Sequence, residues 1–223
     1  MSKKPNFKIS QLIVNYLIEA ILIFTSVFFA FWLTEVRETK KTTETLKKSL
    51  QHIGSEMEYN HKRIEYIYEY YTNILKQIDS LRNEPGVKLD ETHGFELKNW
   101  MGVQIPMLQS TAYQTFLNSG ATDAADFDMA KSFADIYNVQ AVIEQLEKSF
   151  YDIAATDMDF TSLYKVKHTF GLYAEILPDL IFVYQTGGKK WLTEYGYNRE
   201  IKNENIRKYV AQKIEIYENE DQK

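Results

Sequence analysis

The stretch EAILIFTSVFFAFWLTEVRETKK, Glu19 to Lys41, opens on a carboxylate, runs apolar, and closes in alternating charge. Widened to Leu12–Leu33, it holds only Asn15 and Glu19 as strongly polar residues. A helix of roughly 20 such residues crosses a bilayer core, so the sequence predicts one transmembrane helix. A cleaved leader is the first rival, because MSKK supplies a basic start. The run is too long for that, and no small-x-small site precedes the charges. A buried core helix is the second rival, but such a helix seldom needs to be apolar on every face, as IFTSVFFAFWL is. Elsewhere ILPDLIFVY is apolar but too short to span.

Around this run the chain divides into a short tail over 1–10, a transmembrane helix over 11–34, a stalk helix over 35–84, and a helical bundle over 85–223 with a charged C-terminal tail. Lys3, Lys4 and Lys8 precede the span; Arg37, Lys40, Lys41, Lys47 and Lys48 follow it. Basic residues alone slightly favour a cytoplasmic C-terminus, yet long domains translocate largely regardless of charge. The expectation adopted is an N-inside, single-pass protein of a bacterial inner membrane, with its domain in the periplasm.

The balance of 26 Lys and Arg against 31 Asp and Glu, a net charge of −5, gives no global pull toward nucleic acid. With no cysteine, disulfides, thiolate chemistry and sulfur-ligated metals are excluded.

Within the span, Glu19, Ser26 and Ala30 fall within about 40° of one another on a helix. Small residues let membrane helices approach closely, and a carboxyl facing protein avoids exposure to lipid. This stripe reads as a docking face for another membrane helix, either a second copy or a different subunit. Glu19 as a protonatable group on an ion path is a sharper alternative, and Glu19 reaching the headgroups is a plainer one.

From Pro5 to Pro85 no proline intervenes and Gly54 is the lone glycine, so the helix should continue past the membrane. Leu46, Leu50, Ile53, Met57, Asn60, Ile64, Ile67, Tyr71, Ile74, Ile78 and Leu81 alternate spacings of four and three, the heptad pattern of a coiled-coil seam. Asn60 in that seam would fix register. From Glu35 to Leu81 such a stalk reaches roughly 70 Å, and NEPGVKLDETHG reads as the turn that ends it. Tyr59, Tyr66 and Tyr70 share one side of it, as packing or as a surface for sugar or a partner.

PMLQSTAYQTFLNSG predicts a short helix stopped at Gly120 in the left-handed cap position. Thr122 or Asp123 would cap the next helix. Its Ile136, Val139, Ile143, Leu146, Phe150 and Ile153 repeat the seam, which suggests an antiparallel pair with the stalk. DMDFTSLYKVKHTFGLYAEILPDLIFVYQTGG reads as a helix kinked or broken near Pro178 and ended by Gly187 and Gly188. REIKNENIRKYVAQKIEIYENE supplies a last amphipathic helix. With no period-two alternation, the fold class is all-α.

Motifs for chemistry are sparse, and no cofactor is predicted. The histidines form no HExxH. Glu58 and His61 make an ExxH, but a di-iron bundle needs a second such motif and two more glutamates, so a solvated helix face is the better reading. TGGKKW lacks P-loop spacing, and no GxSxG is present. The sequence therefore predicts no enzyme.

Two segments resemble a family of uncharacterised single-span bacterial proteins, common in Bacteroidetes. In EAILIFTSVFFAFWLTEVRE, the residues Glu19, Ala30, Trp32, Arg37 and Glu38 fit that family's anchor pattern of a glutamate, an apolar run and a charged exit. Ser26 stands as the small residue where glycine is usual, and Val36 where tryptophan is usual. STAYQTFLNSG, Ser110 to Gly120, is similar to the family's Thr-x-x-Tyr/Trp-x-x-Leu-x-x-Ser-Gly helix and stop. The resemblance brings no activity; it implies an inner-membrane anchor with a helical domain, and Glu19 as a family feature.

The expected function is a membrane-anchored accessory or scaffold subunit that binds lipid through its span and a membrane protein or a second copy through anchor and stalk. A periplasmic ligand sensor is the alternative, and an envelope hydrolase a more distant one.

Overall fold

The computed structural model describes residues 7–157 and 159–220. Among these the fold is all-helical: α1 (Phe7–Arg82), α2 (Thr111–Asn118), α3 (Phe127–Thr156), α4 (Leu163–Val183), the single turn α5 (Lys189–Leu192) and α6 (Glu204–Glu220). No strand forms among the described residues, and the sole extended pairing there is an isolated bridge between His93 and Ser162.

The 76-residue α1 is unbroken because nothing in its sequence breaks it, and it stops where the chain reaches Pro85 and the left-handed Gly86 (φ 87°). It begins at Phe7, so positions 7–10 of the expected tail are helical; residues 1–6 lie outside the described residues. Near its N-terminus α1 is long enough and apolar enough to cross a membrane, and none of that stretch is buried. Phe24 and Phe31 are 73% and 71% exposed.

Beyond about Leu46 the same helix becomes the spine of the core. Ile53, Met57, Ile64, Ile67 and Tyr71 are fully buried, in one cluster with Phe116, Phe133, Phe170 and Tyr173. Residues 46–81, the expected stalk, and residues 85–210 contribute side chains to one core. The physical reason is that the seam meets apolar faces supplied by the chain itself.

The helix returning along α1 is α4. Lys167 pairs with Asp79, Phe170 stacks on Tyr71 at 4.1 Å between ring centroids, and a Cβ at Gly188 would meet Met57 Sδ at 2.9 Å. The seam in α3 does not supply that partner. Its Ile136 and Ile143 are buried, whereas Ile153 is 51% exposed, so the far end of α3 leaves the core.

Three further details depart from expectation. The cap of α3 is Asp126, whose carboxylate accepts from Asp128 N at 2.8 Å and Met129 N at 3.4 Å; Thr122 and Asp123 form a 3-10 turn after Gly120 (φ 75°). Pro178 sits inside α4 without ending it. The irregularity comes later, as a π-helical turn over Tyr184–Gly188 that leads into α5.

Gly54 serves close approach, since a Cβ there would lie 2.4 Å from the carbonyl oxygen of Tyr195. The turn that ends at Gly196 (φ 102°) rests directly on the backbone of α1.

Candidate functional site

In the anchor half, Glu19, Ser26 and Ala30 are exposed. Ser26 Oγ donates to Leu22 O at 2.7 Å, Thr25 Oγ1 to Ile21 O at 2.7 Å, and Thr34 Oγ1 to Ala30 O at 2.9 Å. Each hydroxyl thus spends its donor on its own helix, which suits a non-aqueous surrounding. Among the described residues the Glu19 side chain forms no hydrogen bond, and it is the one carboxylate between Leu12 and Leu33.

In the distal half the seam positions face the chain's own core. Leu50, Ile53, Met57, Asn60, Ile64, Ile67, Tyr71, Ile74 and Ile78 are buried, and Leu46 and Leu81 are partly buried against the same cluster. Asn60 accepts from Gln109 N at 2.9 Å and donates to Gln109 O at 2.8 Å. The carboxamide of Gln140 joins it, receiving Asn60 Nδ2 at 3.3 Å and the Tyr184 hydroxyl at 3.2 Å. The seam asparagine therefore fixes a register within the chain, between α1 and residue 109.

That contact belongs to a longer arrangement. Residues 98–110 run back along α1 as an irregular strap leading into α2, held by side chains of the helix. Gln77 brackets Lys98, donating to its O at 3.1 Å and accepting from its N at 2.9 Å. The Tyr70 hydroxyl bonds Gly102 O at 2.7 Å and Met101 N at 3.2 Å, and Tyr71 donates to Gln104 O. Arg63 donates to Ile105 O and Pro106 O, both at 3.1 Å, and Glu56 accepts from Ala112 N at 2.7 Å. Glu56, Arg63, Tyr70 and Gln77 recur every seven residues, each one position before a seam residue. A segment without secondary structure must satisfy its peptide groups somewhere, and this polar stripe does so.

A second buried polar group pins the segment before α6. Glu65 accepts from Lys202 N at 2.6 Å, from Asn203 N at 2.9 Å and from Arg199 Nη2 at 3.1 Å. Arg199 also reaches Glu58 at 3.4 Å. His61 is fully buried beside this cluster. The Tyr197 hydroxyl lies 2.9 Å from its Nδ1 and receives Gln185 Nε2 at 3.3 Å. With the Tyr197 hydroxyl donating to Nδ1, the ring proton sits on Nε2, which finds no hydrogen-bond partner among the described residues and lies 3.8 Å from Glu65. Burial lowers the His61 pKa to about 4, with Glu65 opposing the shift and Arg199 assisting it, so the ring is neutral at pH 7. Burial also raises Tyr137, whose hydroxyl donates to Glu56 at 2.6 Å.

The Glu58–His61 pair is thus not a solvated face. Its members are engaged with Arg199, Lys62 and Tyr197, and no group of His, Asp and Glu suited to a metal occurs among the described residues. Of the tyrosine stripe, Tyr59 and Tyr66 are about half exposed and Tyr70 is buried. Tyr66 lines an open groove of about 780 Å³ with Asn73, Asn99, Trp100 and Met101.

Comparisons with protein-family models, curated proteins and solved structures give no match to this chain.

Proposed function

We propose that the protein is a single-pass accessory or scaffold subunit of a bacterial inner membrane, with its helical domain on the periplasmic side. Its anchor carries the Glu19 face to a partner in the membrane, another protein or a second copy. One observation carries this reading: the apolar stretch, unburied on every face, and the domain's spine are the same unbroken helix. Exposing so many large apolar side chains to water is costly, about 25 cal/mol per Å², and a bilayer removes that cost without covering them by protein. The continuity also couples whatever the anchor binds to the position of the domain.

Glu19→Leu in the full chain tests the docking role. It should weaken co-purification of the membrane complex in mild detergent about tenfold, while leaving the melting of the domain within about 0.5 kcal/mol of the parent. An unchanged complex overturns the role given to Glu19; recovery of the intact chain in the aqueous fraction without detergent overturns the anchor.

A further inference from the structure

Arg37, Lys40, Lys41, Lys47 and Lys48 follow the apolar stretch, and all five are exposed. Counted at about 100° per residue, they fall within an arc of about 120°. Leu46 and Leu50, where the core takes hold, lie about 160° and 120° from the middle of that arc by the same count. Glu19, Ser26 and Ala30 lie within about 20° of Arg37, which follows Glu19 by about five full turns. One face of α1, turned away from the domain, therefore runs from the anchor carboxyl into a basic strip. Of the carboxylates at this level, Glu35 and Glu38 point elsewhere and Glu44 alone sits inside the arc. Elsewhere Lys62, Lys165, Lys167 and Arg199 meet carboxylates of the chain; none of the five forms an ion pair among the described residues.

We propose that this face takes up a parallel helix of a different membrane protein. That helix would have an apolar span passing close at the level of Ser26 and Ala30, continuing past the membrane into about three turns rich in Asp and Glu. The inference rests on the anchored reading above and names the chemistry of its partner.

Two other occupants fit less well. Lipid headgroups surround a helix on every side and cannot account for charge gathered on one. Lys48 also stands roughly 20 Å beyond Leu33 along the axis, outside the screening length of about 8 Å at physiological salt. A second copy in a parallel pair would set Arg37 against Arg37, Lys41 against Lys41 and Lys48 against Lys48, and facing like charges repel. A carboxylate-bearing helix answers all of these at once, with a single basic residue opposite Glu44 marking the register.

The test uses the full chain in native membranes, with the photo-crosslinker p-benzoylphenylalanine replacing Glu44 on the face, Thr39 behind it, or Ser26 in the span. The expected result is an adduct from positions 44 and 26 but not 39. It should join a different polypeptide whose cross-linked peptide, once sequenced, is an acidic segment directly after an apolar span. Adding Lys41→Glu and Lys48→Glu should cut the yield at 44 about tenfold. An adduct of twice the chain mass, a lipid adduct alone, equal yields from 44 and 39, or a cross-linked segment without acidic character overturns the proposal. An adduct at 26 with none at 44 overturns it but leaves the docking anchor standing; no adduct at either position removes both.

Discussion

The two halves of α1 belong to one helix, yet they differ in how much apolar surface they carry and where they carry it, and they answer different solvents. From Val14 to Val36 apolar side chains cover every face and lie about half exposed or more. From Leu46 to Leu81 they keep to a seam that is buried, and the neighbouring polar positions hold the strap by its peptide groups. The lesson concerns distribution as well as amount: apolar residues all round call for lipid, whereas apolar residues in a stripe call for protein on one side.

The largest expected effect separates the halves directly. Ile64→Ala should cost the domain about 2–5 kcal/mol in a thermal melt of the full chain in detergent, whereas Phe24→Ala should leave that melt unmoved. Equal losses would mean that the exposed half packs on protein after all. Next comes Asn60→Leu, which strands the N–H of Gln109 while its carbonyl keeps Gln140 Nε2, and should cost about 1–3 kcal/mol. Hydrogen exchange should then rise across residues 104–110 and not in α4. Gly54→Ala should follow at about 1–3 kcal/mol, because the Tyr195 carbonyl oxygen has to retreat.

The last effect depends on pH and vanishes at neutrality. His61 titrates near its ordinary value of about 6.5 when unfolded but at about 4 when folded. As pH falls between those values the unfolded chain binds a proton that the folded chain refuses, so stability present above pH 6.5 declines toward pH 4. The loss should be on the order of 2 kcal/mol by pH 5, and His61→Gln, which keeps a partner for Tyr197, should flatten that part of the profile. An unaltered profile would remove His61 as its cause.

The helical class of the fold was legible in the sequence because its signals are local and repeated: the three-four spacing of α1, the absence of internal proline, and the stop at Gly120. What the seam faces was not legible. A heptad pattern states that one side of a helix is covered, and it is silent on whether a second chain or the same chain covers it. The strap escaped because residues 98–105 carry no periodicity of their own and 106–110 read as part of the helix that follows. Its signal lies on the helix, in Glu56, Arg63, Tyr70 and Gln77 at sevenfold spacing beside the seam, a polar repeat that a purely solvated face does not require. Arg199 and Glu65 lie far apart in the chain, so their pairing had no local trace. For Gly54 the trace was present: a lone glycine in the middle of a long helix marks close backbone approach.

The absence of any break in α1 has a mechanical consequence. With no hinge between the apolar stretch and the core, a domain anchored by that stretch would be phased to its membrane like a flag on a pole. One residue added among 39–43 would swing the whole body by about 100° and raise it about 1.5 Å, whereas seven would restore its heading and lift it about 10 Å. Compass bearing and altitude can thus be dialled separately, and a complex that cares about one need not notice the other.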